Sequence, residues 1–275
     1  MNQQAIIQTV DDVMKALGAD RSRFVLLLSD AARYMTAAGR VLKNLFPRLF
    51  HVTCIAHLLH NCAERVRNKF NNIDSLIASV KAAVVKSKDR KEMFAEIGYP
   101  PEPVITRWAT WLEAAFYYSE NLPAVRDIVT SFEGKGKLVS QVKSAVIEPT
   151  LAADLVAVKR DYQPLVKLLG KCESSNYSIA DAHSDLNSLS LGLDSADVRR
   201  YLDKRIKANE DFLNVMKLTR TDISPALYAT LQQCQTTSVS VERSFSMLNK
   251  LLAKDRNFKD ENVEKYFMML FNSRD

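Results

Sequence analysis

Two short apolar runs, FVLLL at residues 24–28 and LFHVTCIA at 49–56, constrain this chain more than any other feature. The first is continuous rather than alternating and of strand length, the pattern of a strand buried on both faces, and the second reads as another short buried strand. Between them AARYMTAAGRVLKNLF has helical spacing and stops at Pro47. Ahead of them QAIIQTVDDVMKALG sets Ile6, Ile7, Val10, Val13, Met14 and Leu17 at helical intervals, with Gly18 as its stop. The order α, β, α, β with a helical crossover predicts two neighbouring parallel strands. Ligands of such sheets collect at the carboxyl ends of the strands, and Asp30 stands at such an end.

The remainder reads as helix. Seven glycines and eight prolines in 275 residues are few, which favours long helices with short connections over a many-stranded fold. Residues 57–98 are helical in pattern, with lysines and arginines on the polar side, and Pro100, Pro101 and Pro103 then force an extended connection. TRWATWLEAAFYYSENL resumes a helix with Trp108, Trp111, Leu112, Ala115 and Phe116 on one face, and EGKGK at 133–137 is a flexible loop. Residues 138–235 carry further helices and no convincing strand. Two amphipathic helices are predicted at 238–253 and 260–272; the first packs through Val241, Phe245, Leu248 and Leu252, with Glu242 and Arg243 beside that stripe.

Composition narrows the function classes. A formal charge of +6 permits a polyanionic partner without requiring one. The cysteines are Cys54, Cys62, Cys172 and Cys234, and the opening residues lack the charged, apolar and small-residue regions of a signal peptide, so a reducing compartment is expected. No apolar run approaches the roughly 20 residues that cross a bilayer. With no glycine-rich phosphate loop, nucleophile elbow or serine–histidine–aspartate set, a nucleophilic hydrolase and a small-molecule substrate are poorly supported.

Three constellations carry chemistry. His51, Cys54, His57, His60 and Cys62 fall within twelve residues and invite zinc, yet they cross from strand to helix and lack a second ligand pair. The expected alternative is that Cys54 is a small buried hydrophobe and that His51 and His60 border the next helix. Asp30 and Glu242 could share Mg²⁺, whose preference for oxygen ligands suits phosphoryl transfer, although solvated or salt-bridged roles are commoner for single acids. Trp108 either stacks an unpaired base or fills a core, the commoner role on an apolar helical face. The basic groups Arg65, Arg67, Lys69 and Arg199, Arg200, Lys204, Arg205 decorate helix faces and are weak signals for DNA alone.

Taken in order, LLLSDAARYM, the CIAH of Cys54 and His57, TRW at 106–108 and SVSVERSFSMLNKLLAKDRNFKDENVEKYFMML resemble the successive landmarks of hAT-type DNA transposases and genes derived from them, across residues 24–271. The resemblance implies a mostly α chain with a small parallel α/β portion: an incomplete ribonuclease H-like core interrupted by a large all-helical insertion. It assigns residues 1–105 to the partial core, 106–235 to the insertion and 236–275 to the C-terminal hAT dimerisation region.

On that likeness Asp30 matches the second catalytic aspartate and Glu242 the closing glutamate, a Mg²⁺ pair only if the missing acid is supplied. Cys54 and His57 match the pair beside the active site. Arg107 and Trp108 match the DNA-binding position, and Arg243, Phe245, Leu248, Phe267 and Leu270 belong to the dimerisation segment. The first catalytic aspartate and the upstream zinc finger have no counterpart here, because Asp11, Asp12 and Asp20 lie in or at the end of the opening helix.

The expected function is therefore that of a catalytically inactive, transposase-derived nuclear protein that forms homo-oligomers or pairs with a related protein. It would bind DNA weakly, with no membrane role and no resident cofactor. The uncovered edge of FVLLLS is a second reason to expect association. The alternatives are a fragment of an active Mg²⁺-dependent transposase completed by further strands, and a helical scaffold with no nucleic-acid role.

Overall fold

A computed structural model describes residues 2–103, 109–134, 136–174, 176–239 and 241. The described chain is mostly helical with one two-stranded parallel sheet, and it divides into two compact units.

The first unit comprises residues 1–56, 172–182 and 211–275. Helix α1 (Gln3–Ala16) starts at Asn2, whose side-chain oxygen accepts the Ala5 N–H at 2.9 Å. Strand β1 (Leu26–Ser29), helix α2 (Arg33–Leu45) and strand β2 (Phe50–Thr53) follow, and the strands pair in parallel with Leu26 opposite Phe50 and Ser29 opposite Thr53. The predicted α, β, α, β order is thus observed. Its core is built from both ends of the crossover: Leu42, Phe46 and Leu49 are buried against Ile7, Val10, Phe24 and Leu27. Phe24 meets Phe46 edge to face, with ring centroids 5.1 Å apart.

The expected burial of the first run on both faces is not reached. Phe50 and Val52 of β2 are fully buried, whereas Leu26, Leu27 and Leu28 of β1 are only half-buried. Among the described residues β1 pairs with β2 alone, so its other edge receives no hydrogen bonds from a strand.

The second unit comprises residues 57–171 and 183–210. Its helices are α3 (Ile55–Arg67), α4 (Asn71–Val85), α5 (Lys88–Glu92), α6 (Thr110–Thr130), α7 (Lys137–Val146), α8 (Leu151–Cys172), α9 (Ile179–Gly192) and α10 (Ala196–Ala208). Three of these carry the chain across the division: residue 57 lies within α3, 171 within α8 and 183 within α9. Helix α4 packs on α7, which also packs on α6. Helix α6 runs beyond its expected end and keeps Pro123 inside it. Buried Leu122, Val125 and Val129 continue the apolar stripe past the proline, and their burial outweighs an interior proline's cost of about 3 kcal/mol.

Two further helices, α11 (Glu210–Lys217) and α12 (Pro225–Gln232), lead back into the first unit. The division between the units falls at 56/57, and residues 211–235 group with the strands. No helix of the described residues is long and apolar enough to cross a membrane.

Candidate functional site

In the first unit, the carboxyl ends of β1 and β2 are joined to a segment nearly two hundred residues away. β1 ends at Ser29, whose carbonyl accepts the Cys54 N–H at 2.7 Å. Next along the chain, the Ile55 N–H donates to the Thr236 carbonyl at 3.1 Å. The Ser238 N–H and hydroxyl then lie 3.3 and 3.4 Å from Cys54 Sγ, and Thr237 Oγ donates to the Cys172 carbonyl at 3.0 Å. Thr236 and Thr237 are both buried. The hydroxyls of Thr237 and Ser238 make these contacts, whereas that of Thr236 is buried without a hydrogen-bond partner among the described residues.

Asp30 stands directly after β1 and is half-buried. Its Oδ1 accepts the Ala32 N–H at 3.1 Å, a turn that sets up the start of α2, and its carbonyl accepts the Ser29 hydroxyl at 2.8 Å. One carboxylate oxygen thus has a structural partner. Among the described residues no three histidine, cysteine, aspartate or glutamate side chains converge as a metal-binding group. Asp30 would supply only part of the oxygen coordination that Mg²⁺ takes, and Glu242, the acid expected to share the ion, lies outside the described residues.

His51 is not at a helix border as expected but inside β2, with its ring over α2. Its Nε2 lies 2.8 Å from Ser29 Oγ. The same hydroxyl lies 2.8 Å from the Asp30 carbonyl, so Ser29 links the imidazole to the strand end, with the direction of the Ser29–His51 bond set by the ring's tautomer. Gly39 makes room for the ring: a Cβ at that position would lie 2.0 Å from His51 Nδ1. The backbone N–H of His51 donates to Asp211 Oδ2 at 2.7 Å, and Lys43 Nζ reaches Asp211 Oδ1 and Oδ2 at 2.9 and 2.8 Å. Asp211 is buried, so one carboxylate ties α2, β2 and α11 together. Sequence reasoning passed over Asp211, since an acid at a helix start reads as an ordinary N-terminal residue and its partners lie 160 and 168 positions away.

Burial pushes the His51 imidazole below its ordinary value; Asp211 opposes the shift and Lys43 adds to it. Between the ordinary value of 6.5 and the lower folded-state value, the unfolded chain binds a proton that the folded chain does not. Stability is therefore full above about pH 6.5 and falls as the pH drops towards the folded-state value. His60, lowered chiefly by burial, acts in the same direction. Urea midpoints from pH 8 to 5 are expected to decline less steeply in His51→Gln than in the unaltered chain; equal slopes would exclude His51 as a contributor.

In the second unit, His60, Glu64, Arg67, Asp74, Lys81 and Trp111 line part of a cavity of about 340 Å³. Its charges are largely matched within it: Arg67 Nε and Trp111 Nε1 both donate to Asp74 Oδ1, at 2.7 and 2.9 Å. His57 lies in the first turn of α3, and the chain passes between the two units after residue 56, so Cys54 and His57 belong to different units. Val241, expected on the packing stripe, is exposed.

Arg107, Trp108, Glu242, Arg243, Phe245, Leu248, Phe267 and Leu270 lie outside the described residues, as does most of the predicted C-terminal helix pair. No protein-family model and no curated protein matches the chain.

Proposed function

We propose that this chain is a transposase-derived nuclear protein of hAT type that self-associates through residues 236–275, binds DNA weakly and does not itself cut DNA. One observation supports the reading above others: Thr236 and Ser238, where the chain enters the SVSVERS segment, are hydrogen-bonded to Ile55 and Cys54 beside the strand end that carries Asp30. An incomplete ribonuclease H-like core uses that return to bring its last acidic residue back to the sheet, and Glu242 follows Ser238 by four positions. Residues 1–275 offer two of the three expected acids, Asp30 and Glu242. Phosphoryl transfer depends on complete positioning and charge neutralisation, so the chain on its own is assigned no cleavage activity.

A second reading is favoured by the edge of β1, which pairs on one side only among the described residues. In it, strands supplied from elsewhere complete the sheet and the metal site, and the whole is a Mg²⁺-dependent transposase.

Light scattering of the 275-residue chain at micromolar concentration is expected to give a dimer or larger species, and a well-folded monomer would overturn the self-association. Incubation with duplex transposon-end DNA and Mg²⁺ is expected to leave the strands intact. Cleavage that disappears in Glu242→Ala would replace the first reading with the second.

A further inference from the structure

The sequence offers two basic groups of equal appearance, and the second unit separates them. The first is engaged internally: Arg65 stacks over the Tyr201 ring at 4.1 Å, Arg67 pairs with Asp74, and Lys69 lies 3.3 Å from Asp197. The second lies on α10, where five cations accompany two acids, Asp197 and Asp203. Asp197 is met by Arg65 and Lys69, and Asp203 accepts the Ser190 hydroxyl at 2.5 Å. Arg199 donates from Nε to the Leu193 carbonyl at 2.8 Å. Arg200, Lys204 and Lys207 have no such partners among the described residues, and all three are exposed. Val198 and Leu202 are buried on the opposite side of the helix. The three cations therefore form one outward stripe along a shallow groove of about 490 Å³.

We propose that this face of α10 is a binding surface for the phosphate backbone of double-stranded DNA. The proposal rests on the DNA-binding half of the function above and gives it a location. At 1.5 Å per residue, Arg200 to Lys207 spans about 10 Å, which matches about three phosphates of one strand at 3.4 Å of duplex axis each. The groove is lined by four cations, Arg199, Arg200, Lys204 and Lys207, against one carboxylate, Asp203, whose bond from the neutral Ser190 hydroxyl leaves its charge in place, so the face keeps the net positive charge that counterion release requires. A membrane surface fits less well, because an interfacial helix needs an apolar face to insert and that of α10 is already in the core.

The test is fluorescence-anisotropy titration of a 30-base-pair duplex. The probe is read against the unaltered chain, Arg200→Glu/Lys204→Glu/Lys207→Glu, and a matched control, Lys86→Glu/Lys137→Glu/Lys217→Glu, drawn from exposed lysines elsewhere. Binding by the unaltered chain is expected to weaken about 40-fold between 50 and 200 mM salt, as three phosphate contacts imply. The α10 variant is expected to bind at least about ten-fold more weakly at 50 mM with a flatter salt dependence, and the control to stay within about three-fold.

Circular dichroism confirms folding, and the corresponding triple glutamine variant replaces the glutamate one if that fails to fold. Equal losses in the α10 and control variants, or none in the α10 variant, would overturn the α10 assignment and leave DNA binding elsewhere in place. No binding by the unaltered chain would overturn this surface and the DNA-binding half together, while a dimer seen by light scattering would stand. Tighter binding to phosphatidylserine vesicles than to the duplex would overturn the choice of partner.

Discussion

Replacing Asp211 with alanine is expected to destabilise the chain by about 3 kcal/mol, read as a shift in the urea midpoint at unchanged m-value. Asp211 is buried and holds three hydrogen bonds, two from Lys43 Nζ and one from the backbone of His51. Breaking a fully buried pair costs about 3 to 5 kcal/mol because a charge is stranded. Lys43 keeps 40% of its side chain exposed, so its ammonium can return to water and that part falls below the range. The loss is made up by the His51 N–H, which points away from β1 and is left without its acceptor at about 1 to 3 kcal/mol. Asp211→Asn keeps an acceptor but not the charge and should cost about half as much. A loss below about 1 kcal/mol for the alanine variant would mean that this carboxylate does not tie α2, β2 and α11 together.

Gly39→Ala is expected to lower stability by about 2 kcal/mol, although the same change in an ordinary helix interior raises it by about 1 kcal/mol. Gly39 lies in α2, and its added Cβ would meet His51 Nδ1 at 2.0 Å and Cε1 at 2.6 Å. A flexible side chain would swing aside. The imidazole cannot do so readily, because Ser29 holds its Nε2 and Asp211 holds its backbone N–H. The strain must then move α2 off the sheet or break the Ser29 contact, and overpacking of this kind typically costs about 1 to 3 kcal/mol. In Gly39→Ala/His51→Ala the ring is gone, and the two changes should couple by more than about 1 kcal/mol in a double-mutant cycle. A neutral or stabilising Gly39→Ala would show that the ring is free to move.

The parts of the fold that could be read in advance are those whose signal is local. The two apolar runs, the helical crossover and the stop at Pro47 depend on residues a few positions apart, and they appear as β1, α2 and β2. How deeply those strands are buried does not follow from local pattern, because burial depends on what pairs with each edge. β2 is fully covered at Phe50 and Val52, while the equally apolar Leu26 to Leu28 are not. Asp30 could be found as a candidate from its position after an apolar run. That one of its oxygens is engaged by the Ala32 N–H could not. Cys54 and His51 were both visible in the HVTCIA stretch, but their partners Ser238 and Asp211 come from distant parts of the chain.

By itself the sequence determined the helical character of the chain, the parallel pairing of β1 and β2 and the residue types at the strand ends, because periodicity and chain punctuation act over a single turn or strand. Only the tertiary structure decided that Thr236 and Ser238 meet Ile55 and Cys54, that Gly39 and Asp211 hold His51 from two sides, and which basic helix still faces water. The two basic groups are alike in sequence. They differ because Arg65, Arg67 and Lys69 fold against Tyr201, Asp74 and Asp197, and Arg200, Lys204 and Lys207 do not. Charge is written residue by residue, but whether it is neutralised depends on neighbours that only folding supplies.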